Sequence, residues 1–281
     1  MVNGFHIHLV SDATGETINS IARACLVQFE NVDAQEHFWN LIRTPRQLDL
    51  VLEGLRQWPG MVLYTFVDEE LRRILQDYCR AQNIVCISVL DPVLTAMAGY
   101  FGVNWTQEPG RQHVLDADYF ARIDAMDFAL ALDDGHGETK LADADVLILG
   151  VSRTSKTPTC VYLANRGIKA ANIPIIPNQP FPDVEKLEKP LLVGLTKDPD
   201  SLVEIRRNRL KLLHEETQTS YTDPETVREE VLAARRFFAR IGCPVIDVTR
   251  RSIEETSAEI IMLLNRRALE NSIKSKASEP V

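Results

Sequence analysis

The stretch Asp145-Val-Leu-Ile-Leu-Gly150-Val-Ser-Arg-Thr-Ser-Lys156-Thr157-Pro158 carries the fold. Val146–Leu149 reads as a strand buried on both faces, as expected of a parallel sheet covered by helices. Gly150 closes the run, Lys156 and Thr157 follow at P-loop spacing, and a helix is predicted over Pro158–Arg166. In such a loop, backbone N–H groups wrap phosphate oxygens, a lysine neutralises charge and the hydroxyl can ligate magnesium. Gly150, Val151, Ser152, Arg153, Thr154, Ser155, Lys156 and Thr157 are therefore the candidate nucleotide-binding residues, with Thr157 the candidate magnesium ligand. Ser155 stands where the usual motif has its second glycine, so a positive-φ backbone there is costlier and the loop reads as a variant. Arg153 adds a cation that the ordinary motif does not need. The competing reading is a plain strand–turn–helix with an incidental lysine.

Outward from this stretch, short apolar runs alternate with helical patterns. Strands are predicted at His6–Val10, His37–Ile42, Met61–Val67 and Ile84–Leu90, then at Val146–Leu149, Ile173–Ile176, Leu191–Leu195 and Val245–Val248. Helices fall between them: Pro45 and Asp91-Pro92 open two, and others cover Asp116–Leu132, Ser201–Leu213, Pro224–Ile241 and Ser252–Leu269. Parallel neighbours need a crossover, so the pattern predicts βαβ units. The fold class is α/β: an N-terminal open parallel α/β domain over 1–110 and a C-terminal P-loop kinase-like α/β domain over 145–272. A connecting helix and Asp133-Asp134-Gly135 turn over 111–144 lie between them, and a flexible tail occupies 273–281.

Composition narrows the function. The 281 residues are 45% hydrophobic and 25% charged, enough for a packed core. Lys plus Arg number 31 against 40 Asp plus Glu, a net charge of −9. That argues against general nucleic-acid or anionic-membrane binding but leaves room for a local phosphate site. No apolar run reaches the ~18–20 residues of a membrane span, and the N-terminus reads as a strand rather than a signal peptide. The five cysteines (Cys25, Cys79, Cys86, Cys160, Cys243) are scattered, which suggests buried free thiols in a reducing cytoplasm and no zinc spacing.

Further candidates are weaker. Ser11-Asp12-Ala-Thr14-Gly15-Glu-Thr17 is a hydroxyl-rich turn that is either an anion site or a plain N-cap. Asp133 and Asp134 are either a base and a magnesium ligand or a helix-ending turn. Arg206, Arg207 and Arg209 either reach over phosphates or form a solvated face paired with Glu204. Cys243-Pro-Val-Ile-Asp247-Val-Thr249 looks like the last strand of P-loop kinases.

Five blocks together resemble a known family: Ser11–Thr17, Asp133–Gly135, Gly150–Pro158, Tyr162–Asn172 and Asp247–Thr256. They are similar to the regulatory proteins of pyruvate, phosphate dikinase and phosphoenolpyruvate synthase, over nearly the whole chain. The resemblance implies a bifunctional serine/threonine kinase and phosphorylase. Such proteins phosphorylate a target threonine with ADP and remove that phosphate with inorganic phosphate, releasing pyrophosphate. Arg-Thr-Ser-Lys-Thr-Pro looks like the dikinase branch, the synthase branch tending to carry glycine before the lysine. On this reading Lys156 and Arg153 stabilise the transferring phosphoryl; Asp134, then Asp133, then more distantly Asp12, is the base. A homodimer is also implied. The regulated threonine of such targets lies near a phosphorylated histidine, for which Arg206, Arg207, Arg209, Arg250 and Arg251 are the candidate contacts. An ATP-dependent small-molecule kinase, or a nucleotide sensor without catalysis, are the alternatives.

Overall fold

The computed structural model describes residues 4–106, 117–133, 138–176, 179, 183–214 and 219–277. They fall into two compact units that divide between Val114 and Leu115. The first contains β1 (Phe5–Val10), α1 (Glu16–Leu26), β2 (Ala34–Trp39), α2 (Pro45–Gln57), β3 (Met61–Tyr64), α3 (Glu69–Ala81), β4 (Cys86–Ser88) and α4 (Asp91–Phe101). The second contains α5 (Ala117–Ala131), β5 (Val146–Gly150), α6 (Lys156–Ala164), β6 (Ala170–Pro174), β7 (Leu191–Thr196), α7 (Pro199–Leu212), α8 (Pro224–Ile241), β8 (Val245–Asp247) and α9 (Ile253–Ala277). Each unit has one four-stranded sheet, ordered β2-β1-β3-β4 and β6-β5-β7-β8. All the pairings are parallel. The protein is α/β, as its alternating pattern predicts, and both sheets share one strand order although the sequence shows no repeat.

Helix starts follow simple chemistry. Pro45, Pro199 and Pro224 occupy first-turn positions, where a missing N–H costs nothing. The preceding Thr44, Asp198 and Asp223 accept backbone N–H bonds from Gln47, Ser201 and Thr226. Alternation along the first strand of each unit feeds two cores. Ile7 and Leu9 pack with Ile18 and Ala22 of α1, while Val10 joins Leu48, Val51, Leu71 and Leu75 of α2 and α3. Likewise Leu147 and Leu149 meet Leu202, Val231 and Phe238, while Val146 and Ile148 meet Cys160, Leu163 and Ile260. Every residue of β5 is buried, which explains its unbroken apolar run.

Several boundaries differ from the sequence reading. β2 begins three residues before the predicted His37, because Ala34–Trp39 pairs with the full length of β1. Leu41, at φ +60°, lies in the turn that follows. β6 starts at Ala170 rather than Ile173, pairing from Val146↔Ala170 onward, so sheet context outweighs the poor strand propensity of alanine. α6 starts at Lys156, leaving Pro158 inside a first turn whose N–H groups lack helical partners anyway. α9 continues past Leu269 to Ala277. Cys79 and Cys160 are buried free thiols as expected, but Cys25 is exposed. Among the described residues no helix is long and apolar enough to cross a membrane.

A buried histidine makes the first unit acid-sensitive. His8 on β1 is fully buried. The Trp39 indole N–H donates to its Nδ1 at 3.0 Å, and its Nε2 lies 2.8 Å from the Trp58 carbonyl. An indole is a donor only and a carbonyl an acceptor only, so the ring is neutral with its proton on Nε2. Desolvation by burial, and then the nearby His37 and His6, lower the His8 pKa below its ordinary 6.5, although the Trp58 carbonyl opposes this. Burial likewise lowers that of His37. Below pH 6.5 these two histidines therefore bind more protons in the unfolded chain than in the folded one, and their contribution to stability falls as pH drops from there through the depressed folded values. Trp39, Trp58 and Trp105 are the chain's three tryptophans and all belong to the first unit, so their fluorescence reports its unfolding. Its midpoint is expected to be lower at pH 5.5 than at pH 7.5, with a shallower pH slope in His8→Gln. An unchanged slope in that variant would remove His8 from the account.

Candidate functional site

The 150–157 segment joins the central strand β5 to the N-terminus of α6, as a phosphate loop requires. Gly150 is required by space: a Cβ there would lie 2.7 Å from Thr154 Oγ1 and 2.9 Å from the Leu195 carbonyl. Arg153 and Ser155 take left-handed backbone conformations, φ +72° and +64°. Ser155 thus adopts the conformation that glycine favours, and each of the two positions stores strain of about 1–2 kcal/mol. Internal bonds hold this shape. Thr154 Oγ1 and Lys156 Nζ both donate to the Val151 carbonyl, at 2.9 and 3.1 Å, and both residues are buried. α6 has no side-chain cap and no acidic residue in its first turn. Its positive dipole end is therefore available to an anion.

Beside the loop, Thr157 Oγ1 donates to Asp133 Oδ1 at 2.9 Å. Asn172, buried on β6, donates through Nδ2 to Thr157 Oγ1 at 3.0 Å and to Asp133 Oδ1. Thr157 and Asp133 thus place two hard oxygens at the magnesium-ligand position of the loop motif, a donor set that suits Mg²⁺. Among the described residues no group of three or more His, Cys, Asp or Glu side chains could hold a metal alone. Burial and the nearby Asp133 carboxylate push the Cys160 thiol pKa well up, so this cysteine is not a nucleophile. Asp134 lies outside the described residues. Asp12, in the first unit, accepts the Val67 N–H at 2.8 Å, and burial raises its pKa.

Arg206 departs from both readings of its helix. It is fully buried, donating to Glu230 Oε2 at 2.7 Å, to the Tyr221 carbonyl at 3.1 Å and to the Ser152 carbonyl at 3.3 Å. Its guanidinium also stacks over the Tyr221 ring at 4.5 Å. It is committed to bracing the loop and cannot greet a protein target, and its partner is Glu230 rather than Glu204. Arg207, Arg209 and Arg250 are exposed, and the exposed Arg251 pairs with Glu259. Tyr221, in the turn Ser220–Thr222, holds the loop from outside. Its hydroxyl lies 3.1 Å from Ser152 Oγ and accepts from Arg153 Nε at 3.3 Å.

These groups line a cavity of about 680 Å³ that includes Arg153, Lys156, Lys197, Arg206, Tyr221 and Glu230. Four of its lining side chains are cationic and one is acidic, so a chain of net charge −9 concentrates positive charge beside the loop. Asn172, Lys197, Tyr221 and Glu230 were not singled out by the sequence reading. A polar residue inside the strand Ala-Ala-Asn172-Ile, and a lysine directly after the apolar run of β7, are the signals that could have found two of them.

The profile of the kinase/pyrophosphorylase family matches residues 7–261. A pyruvate, phosphate dikinase regulatory protein from Paramagnetospirillum magneticum is 54% identical over 98% of this chain and 89% of its own length. Proteins of the same name from Rhodospirillum rubrum and Caulobacter vibrioides are 52% and 51% identical, over 92% and 93% of this chain and 94% and 83% of their own lengths. A match spanning nearly the whole chain, with the 150–157 loop, Asp133 and the Asn172 strand all inside it, means that this chain belongs to the kinase/pyrophosphorylase family.

Proposed function

We propose that this protein regulates pyruvate, phosphate dikinase by phosphorylating one of its threonines with ADP and by removing that phosphate with inorganic phosphate. The observation that carries the reading is the cationic cavity at the mouth of a strained strand–loop–helix, with Lys156 and Arg153 on the loop itself. The names of its relatives supply the target. In the forward step the threonine oxygen attacks the β-phosphorus of ADP. The bond to the bridging oxygen breaks, AMP leaves, and the threonine proton passes to a carboxylate, Asp134 or Asp133. Lys156 and Arg153 stabilise charge on the equatorial oxygens. In the reverse step an oxygen of inorganic phosphate attacks the phosphothreonine phosphorus. The bond to the threonine oxygen breaks, that oxygen takes a proton, and pyrophosphate forms. Mg²⁺, when bound, neutralises phosphate charge, and Thr157 and Asp133 are the residues that would hold it.

Incubating the protein with the dikinase, or in parallel with phosphoenolpyruvate synthase, and either ADP or ATP tests this reading. Phosphothreonine is expected on the dikinase with ADP and not with ATP. Label entering only a metabolite from ATP, or only the synthase, would replace the proposed substrate.

A further inference from the structure

The cavity holds a lysine that the loop chemistry does not account for. Lys197 follows the last residue of β7, the strand that pairs with β5 through Gly150↔Leu195. It therefore leaves the sheet at the C-terminal edge, beside the phosphate loop, where parallel α/β sheets bind ligands. The residue is 9% exposed and lines the cavity. Among the described residues it makes no hydrogen bond and no ion pair, in contrast to the buried Arg206 with its Glu230 partner. An ammonium group that opens onto this cavity with no carboxylate paired to it is available to an anionic ligand. The adjacent Asp198 carboxylate is committed to capping α7 through the Ser201 N–H. The nearby Arg235 donates to Thr196 Oγ1 and faces Asp247, leaving Lys197 without a carboxylate of its own.

We infer that Lys197 is the anchor of a second anion subsite, which takes a phosphoryl dianion across the cavity from the one held by the loop. The loop already brings Lys156, Arg153 and the N-terminus of α6 to the nucleotide phosphates. Lys197 follows a neighbouring strand, and the same cavity is lined by Ile205 of α7 and Glu230 of α8. The inference rests on the proposed function for the identity of the dianion: free inorganic phosphate, or the phosphate of a phosphothreonine. Two phosphoryl groups must meet in the reverse reaction, and a cation on each side lowers their mutual repulsion.

Binding measurements on the full chain separate these cases. Inorganic phosphate, a phosphothreonine peptide and ADP are titrated separately into wild type, Lys197→Met and Lys197→Arg. Lys197→Met is expected to weaken inorganic phosphate or the phosphopeptide at least about tenfold, the scale of one charge-assisted hydrogen bond, with ADP unchanged within about twofold. Whichever ligand is weakened names the source of the dianion, and Lys197→Arg is expected to retain most of that affinity. In the wild type, the same ligand is expected to slow acetylation of Lys197, read by mass spectrometry, which keeps the test valid if a variant misfolds. Equal losses for ADP and phosphate would overturn the inference by placing Lys197 in the nucleotide site. Loss of neither phosphate ligand, or acetylation that ignores both, would overturn it too. A wild type that binds phosphate at Lys197 but no ADP would leave the subsite standing and defeat the ADP-dependent reading instead.

Discussion

Lys156→Ala is expected to lose both directions of phosphoryl transfer, each by about 10³-fold or more, the scale of a single charge-stabilising group at a transferring phosphoryl. The loss would be chemical rather than structural. Lys156 is buried and donates to the Val151 carbonyl, but that carbonyl keeps its bond from Thr154 Oγ1 when the lysine is removed. The melting curve of the variant should therefore stay close to that of the parent while turnover disappears. Forward transfer and phosphorolysis assayed on one preparation decide it. Wild-type rates in either direction would remove Lys156 from that reaction.

Arg206→Met is expected to act the other way, through stability. It strands Glu230, whose side chain is 18% exposed, and removes donors from the Ser152 and Tyr221 carbonyls. Breaking a buried pair by deleting one partner typically costs about 3–5 kcal/mol, whereas replacing both partners with apolar groups is often neutral. Denaturant unfolding followed by circular dichroism should show a loss of that order for Arg206→Met and partial recovery for Arg206→Met with Glu230→Leu. Tryptophan fluorescence would miss it, since all three tryptophans belong to the first unit. A loss below about 1 kcal/mol, the range of exposed ion pairs, would mean that the pair does not carry the loop.

The readable parts of this protein are those encoded over short distances. The alternation of apolar runs with amphipathic helices gives two parallel α/β units, and Gly150 to Thr157 gives the strand-to-helix loop. Even Arg206 had a local signal that went unread. Arg206 lies four residues after Leu202, three after Val203 and four before Leu210, and all four are buried, so Arg206 sits on the inward stripe of α7 while Arg207 and Arg209 face out. The clustering of three arginines hid that periodicity. Other parts of the site depend on which strands lie side by side. Asn172 reaches Thr157 because β6 lies on one side of β5, and Lys197 lines the same cavity because β7 lies on the other. Strand order is not written in the apolar pattern of any one strand. Tyr221, 69 residues from Ser152, left no local trace.

Ser155 keeps the loop on the path that a glycine would give it. Its backbone already has the left-handed geometry that a glycine would take, φ +64° and ψ +24°. Exchanging serine for glycine there leaves the path of the chain, and hence the aim of Lys156, where it was, and only releases stored strain of about 1–2 kcal/mol. Serine and glycine are thus interchangeable at this position as far as the scaffold is concerned. The residue at 155 sets the strain stored in the loop and not the direction in which Lys156 is aimed.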